Sequence, residues 1–211
     1  MTEMKLENHQ SNRNLNNILI TGGCGFIGSN FVKKILNKKY NIFFKNNLTT
    51  GYLENLNQII KLSKKKIKFY KNDLKNFSKL KKIFDKNRFK YIFHFAAFSN
   101  VDESLKNPKK FLENNIQSTK NLVQLAIKYE VKYFVFSSSA SVYGNVKFKK
   151  NIGEKNKTLP INPYGKSKLE CENIIINQSK KHNYKYIIFR YFNVVGNHIS
   201  YKIQKKNYFN L

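Results

Sequence analysis

An α/β fold, with a parallel sheet covered by helices on both faces, is predicted by three observations. Short apolar runs of strand length alternate with amphipathic runs of helix length. The first strand runs straight into a glycine-rich turn, Thr21-Gly22-Gly23-Cys24-Gly25-Phe26-Ile27-Gly28, which opens a helix. Acids and hydroxyls cluster just after later strands, where a doubly wound sheet has its ligand crevice. Together these describe a Rossmann-type doubly wound domain.

The elements follow in order. Residues 17–21 read as a short buried strand. Residues 25–38 read as a helix with Phe26, Ile27, Phe31, Val32, Ile35 and Leu36 on its apolar side. Strands are expected at 40–45 and 66–70, with a helix over 78–87 after the latter. A fourth strand, 91–96, leads to a helix over 108–129, and a fifth spans 133–138. Residues 145–160 form a polar, Lys-rich loop. A long helix over 163–182 has Asn162 as N-cap and Pro163 at its first position. A sixth strand covers 186–190.

The chain has 211 residues, enough for one domain with a proper core, and 41% of them are hydrophobic. No apolar run approaches the ~20 residues that cross a bilayer, so no membrane partner is expected. The polar start has no signal-peptide core. Residues 1–16 read as a disordered leader and 17–211 as the domain. Two cysteines, Cys24 and Cys171, stand far apart, which predicts no disulfide framework and suits a reducing cytoplasm. The formal charge of +28 raises the question of nucleic acid. Lysine is spread along the whole chain, however, and Asn, Ile, Phe and Tyr, which share its AT-rich codons, are abundant too. Compositional drift accounts for the charge, and no nucleic-acid partner is expected. The field still favours anions.

Gly22, Gly25 and Gly28 allow a backbone to approach a pyrophosphate, and the helix that follows offers N–H groups and a positive dipole end. This predicts a dinucleotide. At the end of the second strand an acid normally accepts the ribose hydroxyls of NAD. Here the segment is Lys45-Asn46-Asn47-Leu48, so Asn46 bonds a hydroxyl without charge assistance, and Lys45 leaves a 2′-phosphate open. After the third strand, Asp73 has two readings, an acceptor for the adenine amino group or a helix N-cap. The segment from Ser137 to Gly144 places hydroxyls at the end of the fifth strand. Tyr164 and Lys168 are four residues apart and share one helix face. An ammonium beside a phenol lowers its pKa and makes it a better base.

In this order the motifs identify a resemblance to the extended short-chain dehydrogenase/reductases, nearest their UDP-glucose 4-epimerase branch. It rests on Thr21–Gly28, His94-Phe95-Ala96-Ala97, Asn115, Ser139–Gly144, Pro163–Lys168 and Arg190–Gly196. The resemblance implies NAD as cofactor and a nucleotide sugar, UDP-glucose or UDP-galactose, as substrate. It implies Ser139, Tyr164 and Lys168 as catalytic residues, with Tyr164 the base and Lys168 also on the nicotinamide ribose. Gly22, Gly25, Phe26, Ile27, Gly28, Asn46, Asp73, Leu74, Phe95, Ala96, Ala97, Asn115 and Tyr191 are implied cofactor contacts. Ser139, Tyr164 and Asn193 are implied substrate contacts. It also implies a homodimer formed through helices 108–129 and 163–182.

The 4,6-dehydratases of the family typically carry Asp-Glu before Val-Tyr-Gly, and its decarboxylases usually carry Glu at the second of those positions. Ala140-Ser141 stand there, so elimination machinery is absent. The segment 98–104 has features of both epimerase and dehydratase. Epimerases of this kind continue into a smaller substrate lobe, which is expected to be truncated here at Leu211. Another nucleotide-sugar epimerase or dehydratase, a silent cofactor-binding module, and a basic nucleic-acid-binding protein on the same scaffold remain the alternatives.

Overall fold

A computed structural model describes residues 16–49, 51–63, 67–145 and 151–196. The leader read over 1–16 lies, except for Asn16, outside the described residues, as do 197–211 and part of the Lys-rich loop. The elements are β1 (Asn17–Thr21), α1 (Phe26–Ile35), β2 (Asn41–Asn46), α2 (Leu53–Leu62), β3 (Lys68–Lys71), α3 (Phe77–Lys86) and β4 (Tyr91–His94). They continue with α4 (Val101–Lys106), α5 (Pro108–Lys128), β5 (Tyr133–Ser139), a 3₁₀ turn (Ala140–Val142), α6 (Pro163–Lys181) and β6 (Lys185–Tyr191). Six parallel strands lie in the order β3-β2-β1-β4-β5-β6, the doubly wound arrangement the alternation predicts. Among the described residues no helix is long and apolar enough to cross a membrane.

The pleat sorts the core into two. Ile18, Ile20, Ile42 and Phe44 pack with Val32 and Ile59 on the α1–α2 side. Leu19, Phe43, Ile92 and Phe134 pack with Leu80, Leu122 and Ile175 on the α3–α5–α6 side. β1 is buried from end to end because helices cover both its faces.

Two helices are absent from the periodicity. α2 buries Asn55 beside Leu56 and Ile59, and the Asn55 side chain donates to the Cys24 carbonyl at 3.0 Å. A polar residue on the inner face hides such a helix from an apolar pattern. α4 is six residues long, too short to show a period, and begins where Asn100 Oδ1 accepts from Glu103 N–H at 2.8 Å. By contrast Asn162 caps α6 as expected, accepting from Gly165 N–H at 2.7 Å, with Pro163 in the first turn.

Register places the chemistry. Thr21 pairs with both Lys45 and His94, His94 with Phe136, and Ser139 with Tyr191. The carboxyl ends of the strands therefore line up along one edge. Chain crossovers run in opposite directions on either side of β1 and β4, which opens a crevice there.

Candidate active site

The crevice is a cavity of about 310 Å³ that runs from the glycine turn to the start of α6. At one end Gly22 adopts φ +73°, and a Cβ there would lie 2.6 Å from the Ala96 nitrogen. A Cβ on Gly28 would lie 2.4 Å from the Gly22 carbonyl oxygen. Both glycines are thus demanded by close backbone approach. No side chain caps α1, whose N-cap is Gly25, and Phe26 and Ile27 line the cavity at that helix start. A cradle without side chains in front of a helix N-terminus suits a pyrophosphate.

The β2 and β3 ends form the next part of the wall. Asn46 is buried, and its Oδ1 accepts from Leu48 N–H at 2.6 Å. Asp73 lines the cavity with Leu74, and its Oδ1 accepts from Lys75 N–H at 2.8 Å. Asp73 does not cap α3. Asn76 does, accepting from Lys79 N–H at 3.0 Å. Lys45 is fully buried, with Nζ 3.4 Å from the Asn72 carbonyl oxygen. Burial pushes its ammonium down to about 8, against the pull of Asp73.

At the far end stand Ser139, Tyr164 and Lys168. Ser139 ends β5, and its Oγ accepts from Ser141 N–H at 3.1 Å, which starts the 3₁₀ turn. Tyr164 is buried, with its backbone N–H donating to Ser104 Oγ of α4 at 3.3 Å. A Cβ on Gly165 would lie 2.5 Å from the Ser141 carbonyl oxygen, so glycine lets α6 sit close against the turn that carries Ser139. Lys168 donates from Nζ to the Ser137 carbonyl oxygen at 2.7 Å, and lies 5.9 Å from the Tyr164 ring centre.

The electrostatics differ from the expectation that the ammonium makes Tyr164 more acidic. Burial raises the phenol pKa, and the opposing influence is a hydrogen bond with Ser139 rather than Lys168. Lys168 is itself pushed down to about 8 by burial. The reason is dielectric: a dry wall disfavours the charged form of both groups.

Of the residues singled out in the sequence, the cavity collects the glycines, Phe26, Ile27, Asn46, Asp73, Leu74, Phe95–Ala97, Ser139, Tyr164, Lys168, Tyr191 and Asn193. Asn115 stands behind this wall. Its Oδ1 accepts from Phe98 N–H at 2.9 Å, and its Nδ2 donates to the Phe98 carbonyl at 3.0 Å and to Ser167 Oγ at 2.9 Å. It pins the β4 exit loop to α6.

Two supports involve residues to which the sequence motifs assign no role. His94 is buried between Thr21 Oγ1 (2.7 Å from Nδ1) and Thr119 Oγ1 (3.1 Å from Nε2). The Thr119 hydroxyl also lies 2.9 Å from the Asn115 carbonyl oxygen and 3.2 Å from Cys171 Sγ, and when its proton goes to either of these its oxygen accepts from Nε2–H. Burial, then Lys168 and Lys45, push His94 down to about 3, so the ring is neutral. Behind Ser139, buried Glu172 accepts from Ser138 Oγ and pairs with Arg190, whose Nη2 lies 2.7 Å from Oε2. Arg190 Nη1 also donates to Tyr143 Oη at 3.0 Å. Glu172 lies four residues after Lys168, on the same helix face, and that spacing is the signal that could have found it.

Comparison with known proteins agrees with this geometry. A family described as GDP-mannose 4,6 dehydratase matches residues 19–209. A bifunctional UDP-glucose 4-epimerase and UDP-xylose 4-epimerase of Arabidopsis thaliana is 37% identical over 192 residues, covering 89% of this chain and 54% of the relative. A UDP-glucose 4-epimerase of Caenorhabditis elegans is 38% identical over 194 residues, covering 87% and 55%. The crystal structure of the Bifidobacterium longum UDP-glucose 4-epimerase with NAD⁺ and UDP superposes with a TM-score of 0.83 at 34% identity, covering 88% of this chain and 56% of that one. The chain spans about half the length of the curated relatives it matches. With its glycine cradle, its strand order and its Ser139–Tyr164–Lys168 wall in one crevice, the chain belongs to the NAD-dependent epimerase/dehydratase family, a branch of the extended short-chain dehydrogenase/reductases.

Proposed function

We propose that the chain carries the cofactor-binding and catalytic half of a UDP-glucose 4-epimerase, which interconverts UDP-glucose and UDP-galactose by transient oxidation at C4. The observation that carries this is the continuous wall from the glycine turn to Ser139, Tyr164 and Lys168. NAD would be held across Gly22–Gly28, Asn46 and Asp73, and when bound would supply the hydride acceptor. Ser139 hydrogen-bonds the C4 hydroxyl. Tyr164 takes that hydroxyl proton as the C4 hydrogen leaves with its electron pair. Lys168 stabilises the phenolate and holds the nicotinamide ribose. The 4-keto sugar would then turn over, so that hydride would return to its other face while Tyr164 gives the proton back to the C4 oxygen, inverting C4. Asn193, exposed at the cavity mouth, contacts the substrate diphosphate region. Asn115 acts indirectly, by fixing the Phe98 loop against α6. We place the protein in the cytoplasm, as a homodimer paired through α5 and α6.

A second reading, a dinucleotide-binding module without turnover, draws on the open sugar side, where Phe192 is 64% exposed. Incubation of the purified chain with UDP-galactose separates the two. The epimerase reading expects UDP-glucose to form, and expects Tyr164→Phe to lower the rate by about 10³-fold while bound dinucleotide is retained. Undiminished conversion by Tyr164→Phe would sink the mechanism. Bound dinucleotide without any conversion in the parent chain would favour the silent module.

A further inference from the structure

At the β2 end of the crevice the amide groups of Asn46 and Asn47 that keep no partner among the described residues are donors. Asn46 gives its Oδ1 to Leu48 N–H at 2.6 Å, and Asn47 gives its Oδ1 to Thr49 N–H at 3.2 Å. A backbone N–H only donates, so each bond fixes its amide with the oxygen turned inward to the loop. Both Nδ2 groups are left over, and among the described residues neither has an acceptor. A Cβ on Gly51 would lie 3.0 Å from Asn46 Nδ2, so glycine there keeps a side chain off that amide. Beside them Lys45 lines the cavity with one long bond, 3.4 Å, to the Asn72 carbonyl. The one carboxylate among the described wall residues is Asp73, and Lys45 lies within its field.

An acid at this position accepts both ribose hydroxyls and repels a phosphate. Two amide donors and a cation do neither. They offer hydrogen bonds to oxygens and no negative charge to oppose them. From this we infer that the site takes a dinucleotide phosphorylated on the adenosine 2′-oxygen alongside the unphosphorylated one, with Asn46 setting the preference. The inference rests on the cofactor-site reading above and deepens it.

The test equilibrates the purified chain with equal concentrations of NAD and NADP, removes unbound nucleotide, denatures the protein and quantifies what is released. NADP recovered at more than a tenth of NAD supports the inference, and less than that overturns it. Asn46→Asp keeps an oxygen for Leu48 N–H, so the loop is preserved while a charge is added. It should lower the NADP:NAD ratio at least tenfold, and an unchanged ratio would overturn the role of Asn46. Release of neither dinucleotide would reject the cofactor-site reading itself, a result distinct from NAD alone.

Discussion

The centre of the sheet and its β6 edge are built differently. β1 is buried along its whole length, and Ile20 is fully enclosed between α1, α2 and the neighbouring strands. β6 forms the outer edge, where Tyr186, Ile187 and Phe189 are 39%, 53% and 45% exposed. The cofactor end draws its rigidity from apolar burial on both faces. The β5–α6–β6 region adds polar links to its apolar packing, namely Ser138–Glu172–Arg190–Tyr143 and Asn115–Ser167. Dispersion is many small contacts that tolerate small adjustments, whereas a buried charge network fails when one partner is removed.

Substitutions can break this contrast. Ile20→Ala should cost about 4 kcal/mol in denaturant unfolding, as a buried large-to-small change in a two-sided core. A loss below about 1 kcal/mol would show that the β1 region relaxes freely. Arg190→Ala should cost about 3 kcal/mol, because it leaves the buried Glu172 carboxyl without its ion-pair partner. It should also slow UDP-sugar conversion by moving the turn that carries Ser139. A neutral effect on both measures would mean that the network is ornamental to β5 and β6. The smallest change is expected at Ile187→Ala, within about 0.5 kcal/mol, since that side chain already meets solvent.

Between the last two lies a pH effect centred on β4. His94 stays neutral in the fold down to about 3, whereas in the unfolded chain it takes a proton near ~6.5. Its contribution to stability is therefore complete above ~6.5 and falls by roughly 1.4 kcal/mol per pH unit as acid is added through that window. Urea midpoints measured from pH 7 to 4 should show this slope, and His94→Gln should flatten it. An equal slope in the variant would assign the acid sensitivity elsewhere.

What the sequence revealed was local. The turn from Thr21 to Gly28 and the Asn162-Pro163 start of α6 are specified by residues within one turn of each other, so their geometry is written in adjacent positions. Tyr164 and Lys168 share a face for the same reason. The tuning of Tyr164 was not legible, because it depends on how dry the β5–α6 wall is. Asp73 and Asn76 are alternative caps three residues apart, and only the observed hydrogen bonds choose between them. Asn115 reads as a ligand contact on motif alone, yet its partners Phe98 and Ser167 come from a loop and a helix far along the chain. α4 was invisible by length, although its Ser104 fixes the Tyr164 backbone.

The hydrogen bonds through His94 have a direction. Ala96 N–H points to Thr21 Oγ1, the Thr21 proton to His94 Nδ1, the Nε2 proton to Thr119, and the Thr119 proton to the Asn115 carbonyl. A backbone N–H at one end only donates and a backbone carbonyl at the other only accepts, which favours this one sense for the protons between them. The row ties the strand beneath the glycine turn to α5, and through Asn115 to α6. Opening any one member would strand a buried polar neighbour, so the two halves of the crevice wall share the cost of being pulled apart.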